Sequence, residues 1–441
     1  MGKKISVLVI LLLCAASAAW AEGQSSQAAA AAVSKIDSGD TAWILVSTAL
    51  VMLMTPGLAL FYGGMVRGKN VLGTLMQSFI AIAVISVQWI LFGYSLSFGP
   101  DVHGIIGNLD WIGLTGVGVE PNPAYAPTIP HILFMMYQAM FAVITPALIT
   151  GAFAERMKFS AYVIFILLWS TIVYDPVAHW VWGAGGWLKE MGTLDFAGGI
   201  VVHLISGISA LAATFVIGKR KGYLQEAMYP HNLPMTVLGA GLLWFGWFGF
   251  NAGSALSAGG LSAMAFVATH TSAVSATVIW LLIEWIHRGK PTMFGAATGS
   301  IAGLATITPA SGFVSPMSAL VIGLAAGAVC YISLNMKSKL GYDDSLDAFG
   351  VHGVGGILGT LATGLFAQSV INPAGSNGLL FGSHQMFTSQ VIAILVTGVY
   401  SFVVSIVLLK ILDKVIGLRV SEESEENGLD ISQHGETGYS T

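Results

Sequence analysis

Runs of about 20 apolar residues, each long enough to cross a hydrocarbon core of ~30 Å, recur from residue 42 to residue 413. A span in lipid must pair its own backbone N–H and C=O groups, and a run of this length does so as a helix. Composition agrees. Of 441 residues only 9% are charged and 55% are hydrophobic, whereas soluble globular chains carry about 25% charged residues. Too few charges remain to solvate a surface, so the surface meets lipid. The chain reads as an all-α polytopic membrane protein.

The first segment follows a different pattern. Lys3 and Lys4 precede the apolar stretch 5–14, and Ala19-Trp20-Ala21 offers a small-residue cleavage site before Glu22. These are the three parts of a signal peptide. Residues 1–21 are therefore expected to be removed, leaving 22–41 as a short segment outside the membrane. The alternative, a retained first helix, would reverse the orientation of everything after it. Cys14 would leave with the signal peptide, and Cys330 alone builds neither a disulfide framework nor a thiolate metal site. Without Lys3 and Lys4 the chain holds 16 basic and 22 acidic residues. Glu422, Glu423, Glu425, Glu426, Asp430 and Glu436 all follow Arg419, so the acidic excess belongs to the tail, 414–441.

Within a membrane domain of residues 42–413, eleven spans are expected: 42–64, 71–97, 130–153, 160–181, 197–217, 234–252, 261–286, 292–308, 315–335, 348–368 and 386–413. The basic residues test that count. Arg67, Lys69, Arg156, Lys158, Lys219, Arg220, Lys221, Arg288, Lys290, Lys337, Lys339, Lys410, Lys414 and Arg419 all fall on one side of an eleven-span chain. Only Lys35 and Lys189 fall on the other. By the positive-inside rule the N-terminus is outside and the tail cytoplasmic, in the cell (inner) membrane. The outer loops are rich in Gly, Pro and aromatics, above all 98–129. They suit a vestibule better than a second folded domain.

A weak internal echo is present. Leu194-Asp195-Phe196-Ala197-Gly198 precedes His203 in the fifth span, and Leu346-Asp347-Ala348-Phe349-Gly350 precedes His352 in the tenth. Spans five apart cross in opposite directions. That is the signature of an inverted repeat, helices 1–5 and 6–10 with a final helix outside it, and of a substrate site near the midplane.

Ionisable residues inside spans are expensive and are candidates for function. His203 lies eight residues past Asp195, about 12 Å along a helix, and His352 enters from the opposite face. Glycines around both, including Gly207 and Gly356, would let the two backbones approach closely. The plainer alternative is that each histidine makes a structural interhelical hydrogen bond. Asp195 stands at a span start, where it is expected to cap the N–H groups of Phe196–Gly198; a negative charge there also concentrates cations at an outer mouth. Asp347 is read as a structural cap by the same logic. Asp175 and His179 sit near the outer end of the fourth span. Glu284 and His287 are read as interfacial at the end of the seventh.

Three aromatic clusters stand out. Tyr137 and Phe141 are one turn apart on the third span with Gln138 beside them. Trp182 precedes Gly183-Ala184-Gly185-Gly186, and Phe250-Asn251-Ala252-Gly253-Ser254 ends the sixth span. A ring face attracts a desolvated cation by ~2 kcal/mol or more, and a serine hydroxyl can accept a hydrogen bond. Residue types alone favour an interfacial aromatic belt for all three.

The stretches 56–64, 178–183, 195–203, 247–254, 349–356 and 428–436, in this order, resemble the Amt family of ammonium transporters over essentially the whole mature chain. The resemblance implies eleven helices per subunit, a pore in each protomer of a homotrimer, and ammonium or ammonia as substrate. It implies no enzymatic activity, no cofactor, no metal and no nucleic acid. It assigns Trp182, Phe141 and Ser254 to an external cation-recruitment site, with Tyr137 where relatives often carry another aromatic. Phe141 and Phe250 match the stacked pair that closes the pore, and His203 and His352 the twin histidines that line it. Asp195 matches an aspartate that holds backbone geometry near the site. The tail resembles a cytoplasmic segment that docks PII-type signalling proteins.

Physical chemistry fits these residue types. Ammonium is close to potassium in size, so a sieve cannot separate them. A narrow apolar pore rejects any ion, but ammonium can shed a proton and potassium cannot. Paired imidazoles, which titrate nearest neutrality, can relay that proton. Three rivals stay open: a Rhesus-type gas channel, an ammonium sensor acting through its tail, and a haem carrier ligated by His203 and His352. Trp182 and Ser254 speak against the first, the short tail against the second. Apolar flanks, which offer ligand histidines no hydrogen-bonding partners, speak against the third.

Overall fold

The computed structural model describes residues 35–439; the expected signal peptide, 1–21, and most of the segment 22–41 lie outside the described residues. The chain is a multi-pass membrane protein. Its long apolar helices are α1 (Ser38–Met65), α2 (Gly68–Phe98), α3 (His131–Phe153), α4 (Phe159–Glu190), α5 (Gly199–Ile217), α6 (Leu233–Gly253), α7 (Gly260–Arg288), the shorter α8 (Met293–Ile307), α9 (Pro316–Leu340), α10 (Phe349–Phe366) and α11 (His384–Ile416). Among the described residues ten of these are long and apolar enough to cross a membrane, α8 being the exception. Its 15 residues reach only about 22 Å at 1.5 Å each. It is packed between α6, α7, α9 and α10, so protein rather than lipid surrounds it.

Helix starts follow short polar side chains that accept a first-turn N–H. Asp37 accepts from Asp40, Asn232 from Met235, Thr292 from Gly295, Ser315 from Ser318 and Ser383 from Met386. Proline occupies the first turn of α6 and α9, where its missing N–H costs nothing. Four spans contain a widened π-helical turn: Trp89–Gly93 in α2, Ser170–Tyr174 in α4, Gly199–Leu204 in α5 and Phe349–Gly353 in α10. The last two hold His203 and His352. A short hairpin, β1 (Asp101–Val102) with β2 (Ile106–Gly107), follows α2.

The most extensive helix pair is α1 with α6, while α11 stands at the edge against α5. Between them α5 and α10 cross in opposite directions: Gly207 faces Gly353, and Gly356 faces Leu204. A Cβ at Gly207 would lie 2.0 Å from the Gly353 nitrogen, and one at Gly356 2.7 Å from the Leu204 nitrogen. Only glycine permits that contact.

At the basic end of the bundle, Glu155 accepts from Arg67 Nε, Asn70 Nδ2 and Arg220 Nη1. Arg220 also donates to Asp343 at 2.8 Å. Burial alone would raise the Glu155 carboxyl, but Arg220 and Arg67 hold it below the usual range. Asp343 is likewise held low against burial by Arg220 and Arg156. The tail folds back on this end. Glu425 accepts from Lys221 N and Arg419 Nη2, Leu429 N donates to Asn70, and Asp430 accepts from Gly73 N.

Candidate functional site

Two cavities lie one behind the other at the centre of the bundle. The outer one, at the end carrying residues 99–130, is about 160 Å³; Phe141, Trp182 and Ser254 line it together with Tyr125, Gln138 and Lys189. The Trp182 ring lies perpendicular to Phe141, centroids 5.9 Å apart. Its orientation is set from behind, because Nε1 donates to the Asp195 carbonyl at 2.9 Å. Ser254 ends α6 and donates its own proton to the Phe250 carbonyl at 2.8 Å. Even with the Tyr137 hydroxyl 3.2 Å away, one oxygen lone pair is left to accept, which is the polarity a hydrogen-bonding cation needs.

Below Ser254 the Phe141 and Phe250 rings close the passage, with centroids 4.3 Å apart and planes inclined by 33°. Both side chains are fully buried. Beneath them a cavity of about 10 Å³ is lined by His203, His352, Trp247, Phe250, Val202 and Ile301 among otherwise apolar residues. That is roughly room for one water-sized sphere. The two imidazoles stack with centroids 5.2 Å apart and planes within 17°, and Trp247 stacks on the far face of His203 at 5.3 Å. Both nitrogens of His203 and Nδ1 of His352 are buried without a protein hydrogen-bond partner. The structural interhelical hydrogen bond does not form at those atoms.

Asp195 holds the start of α5. Its Oδ1 accepts from Gly198 and Gly199 N, and its Oδ2 from Ile200 and Val201 N, at 2.7–3.1 Å. Burial pushes the carboxyl up while these four N–H groups pull it down. Accepting four bonds and donating none, it acts as a carboxylate. The cap falls later than the expected Phe196–Gly198, because Phe196 N donates to Pro309 O instead and Gly198 turns the chain at φ +110°.

Tyr137 is fully buried, its ring edge-on to Phe141 at 5.0 Å and its hydroxyl meeting Gly249 O, Phe250 O and Ser254 Oγ, so that it braces the end of α6. One further expectation needs correction. Asp347 is not the cap of α10. It takes a left-handed backbone, φ +63°, unlike the extended one of an N-cap, and pairs with Lys337. Asp344 caps instead, accepting from Ala348 and Phe349 N. Glu284, near the end of α7, is buried and accepts from Thr292 N and Oγ1, joining α7 to α8. His287 meets Tyr331. Asp175 is buried against Gln88 and Ser97, and His179 joins Ser97 O and Asp101. Among the described residues no group of three or more His, Cys, Asp or Glu could hold a metal ion.

Lys189, Gln138 and Tyr125 also reach the cavity, and residue type alone does not place them there. Gln138 at least carries a signal, as an amide next to Tyr137 in an apolar span. Lys189 stands out in the sequence only as a basic residue on the side that lacks them.

Comparison with known proteins bears on the chemistry. Residues 42–439 match the model of the Ammonium Transporter Family. The ammonium transporter of Bacillus subtilis (strain 168) is 54% identical over 402 residues, covering 91% of this chain and 98% of that protein. Ammonium transporter Amt1 of Archaeoglobus fulgidus is 50% identical, covering 92% and 100%. The crystal structure of Saccharomyces cerevisiae Mep2 superposes with a TM-score of 0.82 at 37% identity, covering 88% and 91%. A solved Sensor Amt Protein superposes with a TM-score of 0.83 at 30% identity, covering 90% and 98%.

Proposed function

The chain belongs to the Ammonium Transporter Family, and from that premise we propose that it recruits ammonium at an outer aromatic cage, strips one proton, and conducts neutral ammonia. Trp182, Phe141 and Ser254 form the cage. Phe141 and Phe250 are the gate beneath it. His203 and His352 line the pore and relay the proton separately. Asp195 is structural: it fixes the N-terminus of α5 and, through its carbonyl, the Trp182 indole.

The observation that carries this reading is the succession along one line: an acceptor beside two perpendicular rings, then a closed ring pair, then imidazoles in an apolar cavity. A bare cation is favoured at the first station and rejected at the last. Only a species that can leave its charge behind passes all three.

The eleventh crossing is α8, so the N-terminus lies outside and the tail in the cytoplasm, in the inner membrane, after removal of 1–21. The halves α1–α5 and α6–α10 form an inverted repeat. The working unit is a homotrimer with a pore per subunit, and the tail, 414–441, receives a PII-type protein. A second reading, ammonium sensing through the tail, is favoured by the likeness to the Sensor Amt Protein. Ammonium-evoked current from purified protein in liposomes, with and without potassium as competitor, separates them: transport gives a current that potassium does not replace, and a pure sensor gives none.

A further inference from the structure

Lys189 is the feature that the function above leaves unused. It is one of two basic residues expected on the outer side, and it stands on the cavity that collects a cation. Its Nζ donates to the Trp182 carbonyl at 3.1 Å and lies 5.9 Å from the centroid of the Tyr125 ring. Both Tyr125 and Trp182 line the same cavity. A primary ammonium group thus already holds an acceptor and a ring face beside the cage, which is the chemistry proposed for the substrate.

Among the described residues Lys189 forms no ion pair within 4.0 Å, and its chain neighbour Glu190 is the one carboxylate whose charge acts on it. The carboxylate that shares the cavity, Asp195, has both oxygens engaged by four backbone N–H groups.

We propose that Lys189 sets the affinity of the outer cavity: its ammonium group is a tethered competing cation that weakens recruitment of ammonium. The proposal rests on the reading of that cavity as a cation-recruitment site. Two unit charges about 10 Å apart near a surface repel enough to change a binding constant by roughly two- to fifteenfold, the lower figure for a water-like surrounding. Salt screens such a pair, since the Debye length is only about 8 Å at physiological ionic strength.

The test is the KM for methylammonium uptake into liposomes carrying Lys189→Gln, Lys189→Met and Lys189→Arg, at low and at high sodium chloride. Glutamine keeps a donor for the Trp182 carbonyl without the charge, methionine removes both, and arginine keeps both. Gln and Met are expected to lower KM by roughly two- to fifteenfold at low salt, with the gap closing at high salt and Arg matching the parent. A parent-like KM for Gln, an effect confined to Met, or a gap that ignores salt would each overturn the proposal in favour of a purely structural tie. Uptake absent in the parent would instead overturn the recruitment reading itself, and this proposal with it.

Discussion

His203 and His352 stack with ring centroids 5.2 Å apart and planes within 17° of parallel, although α5 and α10 run in opposite directions. Histidine side chains buried in an apolar bundle ordinarily find partners, since an unmade hydrogen bond costs about 1–3 kcal/mol. Here three of the four ring nitrogens are buried with none in the protein. Close helix contact through Gly207 and Gly356 brings the rings together. The polar atoms they carry are available to a species in the cavity.

Gly207 tests that close contact. Gly207→Ala is expected to force α5 from α10 and to cost about 1–3 kcal/mol, the usual range for overpacking. Gly241 is the control, because a Cβ added there would meet nothing within 4 Å, and Gly241→Ala should leave the protein unchanged. Thermal unfolding in detergent measures both. Equal melting of the two variants would mean the helices are not held at glycine distance.

The cage predicts an affinity change. Trp182→Leu removes a ring face worth about 0.5–2 kcal/mol to a cation, so KM for methylammonium should rise by roughly two- to thirtyfold. Ser254→Ala removes one acceptor, worth about 1 kcal/mol, or roughly fivefold. Uptake kinetics read both. Parent KM values in both variants would remove the cage.

Asp195→Ala should damage stability more than a surface substitution would. Four N–H groups at the start of α5 lose their acceptor, and each buried orphan costs about 1–3 kcal/mol before water enters. A lower melting temperature and lost uptake are expected together, because loosening the start of α5 also displaces the Asp195 backbone carbonyl that orients Trp182. A variant with parent melting and no uptake would point to a direct chemical role instead.

The basic end gives a pH dependence. Glu155 and Asp343 are held below their ordinary values when folded. Their contribution is therefore complete above the unfolded value of about 4 and is lost as pH falls through the lower folded one. Melting temperature, as far as this cluster governs it, should be flat from about pH 7 to 5 and fall below about pH 4. Glu155→Gln should lower it at neutral pH and flatten the acid fall. An unaltered profile in that variant would show that the cluster does not hold the end together.

Much of this is legible in the sequence because lipid imposes simple rules. Span positions follow from apolar length, and His203 and His352 from ionisable residues within apolar runs, whereas Trp182 and Ser254 are placed only by the family resemblance, since their residue types alone favour an aromatic belt. What stays hidden depends on backbone detail. Asp344 and Asp347 differ by three positions, and only the left-handed turn at Asp347 decides that the former caps α10. Tyr137 and Gln138 are neighbours, yet the helical rotation of α3 sends the glutamine side chain to the cavity and the tyrosine hydroxyl to the end of α6. The tail's contacts with Asn70, Gly73 and Lys221 join residues more than 200 positions apart, which no local pattern announces.

The central claim, that ammonium gives up its proton at the cage and that the proton then travels separately from neutral ammonia along the histidine pair, is tested most directly by current from liposomes carrying the parent or His203→Ala protein, on addition of ammonium and separately of potassium. The expected result is a parent current to ammonium only, reduced at least roughly tenfold in His203→Ala, the size of one lost relay step of about 1.4 kcal/mol or more. An undiminished ammonium current in His203→Ala, with potassium still excluded, would contradict it.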